Sequence, residues 1–311
     1  MRTIHHRSFS VLPCGLCDFA GHRLPPNCKG RRVLLTIAAI FLAAAHAFAQ
    51  SNLDDLRNKI ANGSVEDKRN ALLEVRNLSA EDASRIAIPA LNDRDELVRA
   101  AAPSAVAFLP KPEAARLILP LLNDKAEFVR SEAAFALGEV GDSSAVQPLL
   151  QRLQKDSGAV RSVAAAALGK IGDVSAVGAL NALLKRKPNE DDENLRRSAA
   201  RSIGQIARFV RTGKRRVETP QNFLPTKYKD SYSATESVVH SFPVFRSSVT
   251  ILTIVLSNKK EADDVRREAA FALGAIGDIS VRQILSDHLN SSDIYLAEIC
   301  TEALLNLSQF E

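Results

Sequence analysis

The feature that most constrains this chain is a phrase that returns every 31 residues. FVRSEAAFALGEVGDSSAVQPLLQRL from Phe128 aligns without gaps on AVRSVAAAALGKIGDVSAVGALNALL from Ala159, and DVRREAAFALGAIGD returns from Asp264. Val98-Arg99, Val129-Arg130 and Val160-Arg161 stand 31 residues apart, and one step back lands on Asp67-Lys68. Leu195-Arg196, Val265-Arg266 and Tyr295-Leu296 are later, more divergent copies. A unit this short cannot bury an apolar face alone, so its copies must stack around one continuous core with no true domain boundary.

Each copy supports two helices. In the second helix of the Arg130 copy, Val129, Ala133, Ala136, Leu137 and Val140 share one apolar face, with Glu132 and Glu139 opposite. Ala134 and Gly138 keep that helix slim. Gly141 is placed to end it in the left-handed conformation, and Asp142 to cap the start of the next helix. Val146, Leu149, Leu150 and Leu153 then face inward on the first helix of the following copy. Composition agrees with an all-α fold. Aromatic residues make up 5% of the chain, with no Trp, whereas strands favour aromatic and β-branched residues.

The phrase A-A-x-A-L-G-x-[IV]-G-D at 133–142, 164–173 and 269–278 resembles the HEAT-like repeat family, in particular the short repeats of phycobilisome lyases. The resemblance covers nearly all of the chain after residue 49. It implies an α-α superhelix, a HEAT-like solenoid of about seven helix pairs centred on Lys68, Arg99, Arg130, Arg161, Arg196, Arg266 and Leu296. It also implies a ladder of hydrogen bonds along the stack. The ladder is carried by an Asp six residues before the helix Arg, as in Asp93/Arg99 and Asp124/Arg130, with Arg161, Arg196 and Arg266 continuing it. Two departures stand out. Asp156 lies five residues before Arg161, and the last copy has Leu296 where Arg is expected, which fits a terminal unit with no further neighbour.

Seven units of 31 account for 217 of the 262 residues from Gln50 to Glu311. The steps from Arg161 to Arg196 (35) and from Arg196 to Arg266 (70) absorb 43 of the remaining 45. One large insertion, at about residues 208–246, therefore interrupts the stack. Pro103 inside a second helix, with Pro89 and Pro120 at one register of the first helices, predicts a less regular stack towards the N-terminal end.

Residues 1–49 read as a leader that is cleaved off. Basic Lys29-Gly30-Arg31-Arg32 precedes the apolar run VLLTIAAIFLAAAHAF and Ala47-Phe48-Ala49, an A-x-A cleavage signal before Gln50. The run is 16 residues, short of the ~20 that span a bilayer, so no stable membrane span is expected. Arg31-Arg32 followed by Val33-Leu34-Leu35 resembles a twin-arginine signal, with Gly30 where Ser or Thr is usual. The expected address is exported, in a bacterial periplasm or the medium. The leader holds six basic residues against Asp18, which is the whole net charge of +5; the rest of the chain has 35 of each sign. A neutral body steers weakly towards nucleic acid. Cys14, Cys17, His22 and Cys28 form a chance grouping in the leader, leaving Cys300 as a lone, inert thiol after it.

No catalytic constellation follows. His240 and His288 are the only histidines after the leader, and no metal-ligand spacing, P-loop, G-x-S-x-G or G-x-G-x-x-G appears. No cofactor or metal is expected. The candidate site is surface instead. In such stacks the second helices line the concave face, where one row reads Ser104, Phe135, Ala166, Arg201, Phe271 and Thr301. Phe135 and Phe271 are either interface anchors or side chains packed over a neighbouring helix. A second candidate is the basic start of the insertion, Arg208, Arg211, Lys214, Arg215 and Arg216. These features point to a scaffold that binds a protein or peptide. The alternatives are a bilin-lyase-like enzyme, implied by the resemblance, and nucleic-acid binding.

Overall fold

The computed structural model describes residues 51–213 and 237–307, so the expected leader, the middle of the expected insertion and residues 308–311 lie outside the described residues. The chain divides at Asn52, and the repeat unit begins at Leu53. It is an all-α solenoid, with no strand among the described residues. Seven helix pairs follow in order among the described residues: α1 (51–62) with α2 (Val65–Leu78), α3 (Glu81–Ala87) with α4 (Glu96–Val106), and α5 (Lys111–Ile118) with α6 (Glu127–Val140). Next come α7 (Val146–Lys155) with α8 (Gly158–Ile171), and α9 (Val177–Leu184) with α10 (Glu193–Thr212). After the insertion, a short α11 (Val238–Ser241) leads into α12 (Val244–Ser257) with α13 (Asp263–Ile276), and α14 (Arg282–Ser286) pairs with α15 (Ile294–Leu307). The Arg, Lys or Leu of each predicted unit lies on the second helix of its pair.

The repeated phrase builds these pairs through two local devices. Gly141, Gly172 and Gly277 adopt left-handed φ values of 68°, 83° and 77°. In that conformation their N–H groups close the helices onto Leu137, Leu168 and Leu273. The following Asp142, Asp173 and Asp278 accept from the N–H groups of Ser144, Ser175 and Ser280, opening a 3-10 turn that runs into the next helix. Where the phrase is missing, the devices vary: α10 still ends on a left-handed glycine, Gly213 at φ 72°, and Asn189 accepts from the Asp191 N–H to open the 3-10 turn before it. The α2 helix ends on Ser79 at φ 52°, a conformation with a steric cost for a residue carrying a Cβ.

The N-terminal pairs depart from the rest as the prolines predict. Pro89 and Pro120 sit at the start of 3-10 turns, Ile88–Asn92 and Leu119–Asn123, that finish the first helices α3 and α5. Without an N–H, proline cannot continue the i→i−4 ladder, and the chain tightens instead. Pro103 lies buried inside α4, which spans 11 residues against 14 in α6, α8 and α13.

One core runs from Leu56 to Leu307, made largely of Ala, Leu, Val and Ile. Small residues let the second helices approach closely. A Cβ added at Gly138 of α6 would lie 2.8 Å from Ala167 Cα on α8, too close for any side chain. Leu296, in the place of the last Arg, is fully buried. Cys300 is buried beside it, and burial pushes its thiol up to about 12, leaving it protonated and unreactive.

Candidate functional site: a groove over the fourth second helix

A run of ion pairs stitches the pairs together and fixes the face on which the site lies. Each rung joins the basic residue of one second helix to an acid of the next repeat. Lys68 Nζ meets Asp93 at 2.7 Å. Arg99 donates Nε and Nη2 to Asp124 at 2.7 and 3.1 Å, and Arg130 does the same to Asp156 at 2.9 and 2.7 Å. The same guanidinium also reaches back: Nη1 of Arg99 donates to the carbonyls of Asp93 and Arg94, and Nη1 of Arg130 to that of Asp124. Each Arg thus caps the end of its own first helix while bridging forward. Burial works against the ionised forms of Asp93 and Asp156. The hydrogen bonds from Lys68, Arg130 and nearby backbone N–H groups outweigh it and hold both carboxyls below the usual range.

Beyond Arg130 the rungs change character. Arg161 donates Nε to the Leu153 carbonyl at 3.0 Å, but its nearest acid, Asp192, stands 3.8 Å away. Arg196 is held by Glu261 on two oxygens and by the carbonyls of Leu183 and Arg186, with both charged side chains only 3% and 2% exposed. The sequence reading missed Glu261 because it sought Asp. The signal was present, since Glu261 precedes Arg266 by five residues as Asp156 precedes Arg161. Arg266 itself is a correction. It turns back to the Leu256 carbonyl and to Asp263, and the forward rung to Asp293 is made by its neighbour Arg267 at 2.8 and 3.0 Å.

The second-helix face carries the candidate binding residues, and the structure separates them. Phe271 is buried, its ring lying over Gly204 of α10; a Cβ on that glycine would come within 2.6 Å of the ring. It is therefore a packing residue and not an exposed anchor. Arg201 is engaged by Glu268 of α13 at 2.7 Å. Arg208 is 1% exposed inside α10, so it cannot offer its charge to a partner. Arg211 lies in the last turn of the same helix, half-buried. Helix α10 continues through Thr212 and α11 begins at Val238, so both margins of the expected 208–246 insertion are helical. Lys214, Arg215 and Arg216 lie outside the described residues.

Phe135 remains half-buried at the wall of a groove of about 530 Å³. The groove exists because α8 presents small side chains outward. Gly158, Ala159, Ser162 and Ala166 form its floor, between Phe135 on α6 and Asn194, Arg197 and Ser198 on α10. Lys170 Nζ stands over the Phe135 ring, 4.4 Å from its centre, and pairs with Glu139. Arg197 pairs with Asp264 at 3.2 Å. One turn before Phe135, burial raises the Glu132 carboxyl above its ordinary range, and Arg76 of α2 pulls the other way. The groove offers an aromatic wall, an apolar floor and polar groups at its rim, which is equipment for binding. Among the described residues no three His, Cys, Asp or Glu side chains converge on a metal-binding geometry. No described helix is long and apolar enough to cross a membrane.

Comparison with known proteins gives two family matches. The HEAT repeats model matches residues 115–204, and the PBS lyase HEAT-like repeat model matches residues 265–291. No curated protein sequence matches the chain. Among solved structures, an engineered protein is 18% identical, with 82% of this chain and 68% of that one covered and a TM-score of 0.48. The complex of CpcE and CpcF of phycocyanin lyase from Nostoc sp. PCC7120 is 19% identical over 82% and 94%, with a TM-score of 0.46. Human deoxyhypusine hydroxylase is 17% identical over 85% and 98%, with a TM-score of 0.38.

Proposed function

We propose that this chain, which carries HEAT repeats, is an exported scaffold that holds a segment of a partner protein in the groove over α8. The observation that carries the reading is the combination of a half-exposed Phe135 and a groove floor on α8 made of Gly158, Ala159, Ser162 and Ala166. Large aromatic side chains beside a recess are common anchors of protein interfaces. A floor without bulky side chains admits an extended backbone. Export is supported by the basic stretch, apolar run and Ala47-Phe48-Ala49 signal of residues 1–49.

The test is capture from the envelope fraction of the native host, with the wild-type chain and Ala166→Trp as baits. Trp at 166 fills the groove from its floor without touching a rung. The scaffold reading expects a specific partner with the wild type and its loss with Ala166→Trp at unchanged melting temperature. Equal capture by both would refute the groove, and N-terminal sequencing that finds no start at Gln50 would refute processing there.

A bilin-lyase-like enzyme is the second reading, favoured by the repeat match at 265–291. It belongs in the cytoplasm and conflicts with the leader. Pigment transfer to an acceptor protein by the purified chain would establish it. Nucleic-acid binding has less behind it, because Arg208 points into the core and the charges after the leader balance.

A further inference from the structure

The first-helix side of the stack carries a second groove, at the junction between the third and fourth pairs. First helix α5 ends in the 3-10 turn Leu119–Asn123, and first helix α7 is entered through the 3-10 turn Ser143–Ala145. Among the described residues this is the one junction where a first helix that tightens at its end meets one that tightens at its start. The two 3-10 segments leave between them a recess of about 640 Å³. Its apolar floor comes from Leu119, Pro120 and Pro148.

The charge around this recess is unbalanced. Arg116, on the α5 wall, is exposed and makes no ion pair among the described residues. Arg152, on the α7 wall, reaches only Asp156 among the described residues, at 3.5 Å, and that carboxylate already takes two hydrogen bonds from Arg130. Two cations therefore share one acid. The single carboxylate lining the recess, Asp142, is spent on capping Ser144, and that hydrogen bond holds it below its ordinary range. Asn123 and Gln151 also line the recess, with side-chain amides that can both donate and accept.

We propose that this recess is a second docking site, distinct from the groove over α8, and that its occupant is an acidic peptide segment. An apolar side chain of the peptide would sit on the proline floor. Carboxylates on either side of it would meet Arg116 and Arg152, and its backbone would bond to Asn123 and Gln151. Guanidinium groups match carboxylates in geometry as well as charge. Two docking sites on opposite faces would let one chain hold two partners, or two parts of one partner.

The experiment is fluorescence anisotropy of the full chain with two fluorescein-labelled octapeptides, one alternating Glu and Leu and the other Lys and Leu, and with labelled oligo-dT. The Glu/Leu peptide is expected to bind, and to weaken about tenfold with Arg116→Glu, the loss of one charge-assisted contact. Arg116→Lys should retain part of the affinity. Phe135→Ala should leave it unchanged, because that residue lines the other groove. Absence of Glu/Leu binding, equal binding of the Lys/Leu peptide, or binding of oligo-dT alone would overturn the proposal. Loss of binding with Phe135→Ala but not with Arg116→Glu would overturn it too, by placing the peptide over α8. Arg116 is exposed and makes no ion pair among the described residues, so its variants should fold, which circular dichroism verifies.

Discussion

Phe135 and Phe271 occupy the same register of the same repeated phrase, yet their surroundings are opposite. Phe271 sits at the α10–α13 junction, where Gly204 receives its ring, Arg201 and Glu268 pair, and the Arg196–Glu261 rung is wholly buried. Phe135 sits beside a groove whose floor on α8 is Gly158, Ala159, Ser162 and Ala166, and where the next rung, Arg161 to Asp192, is stretched to 3.8 Å. One junction is closed and locked; the other is open and loosely tied. In a repeat protein the fate of a side chain is therefore decided by its neighbour in the adjacent repeat, because each unit contacts only those on either side.

That contrast can be broken most sharply at the buried rung. Glu261→Ala strands the Arg196 guanidinium inside the stack, and breaking a fully buried pair typically costs about 3–5 kcal/mol. Chemical denaturation should show that loss, with the C-terminal pairs destabilised first. Arg161→Ala, at the stretched rung, should cost about 1 kcal/mol by the same measurement. If the two variants cost the same, the distinction between a locked and a loose junction fails.

The two phenylalanines give the next largest effect. Phe271→Ala leaves a cavity over Gly204 and should cost about 3 kcal/mol. Phe135→Ala removes a half-exposed ring and should cost about 1 kcal/mol, while its effect on partner capture is large. A reversed order in melting experiments would mean that the groove is a packing defect and not a site.

Acid gives the broadest effect, small at each rung. Asp93, Asp124, Asp156 and Asp293 all titrate below their ordinary range in the fold. A carboxylate with a depressed folded pKa contributes stability that is full above its unfolded value, about 3.9, and is lost as pH falls through the folded value. Melting temperature should be level from about pH 5 to 8 and decline below about pH 4. Asp124→Asn should flatten part of that decline, and an unchanged acid limb would show that the ladder does not couple to folding.

Much of the fold was legible because its devices are local. Gly141 and Asp142 announce a helix end and a helix start from adjacent positions, and the 31-residue spacing of Arg99, Arg130 and Arg161 fixes the stacking. The site was less legible because its determinants are distant. Phe271 becomes a core residue through Gly204, 67 residues earlier and across the insertion, and nothing in the local pattern distinguishes it from Phe135. Arg208 looked like the start of an exposed basic run, but α10 extends to Thr212 and carries it inward. Arg267 takes the rung expected of Arg266 because the acid it meets, Asp293, follows it by the 26 residues that separate Arg130 from Asp156. The small face of α8 was visible in sequence as a row of alanines. Its meaning depended on what flanks it.

The most direct test of the account is site-specific photo-crosslinking in the native host, with a benzophenone side chain placed either at Ala166, on the groove floor, or at Thr301, the half-buried residue at the same register of α15. The account predicts a discrete partner adduct from position 166 and none from position 301. Adducts of equal yield from both, or from position 301 alone, would contradict the claim that the open junction over α8 is where this protein binds.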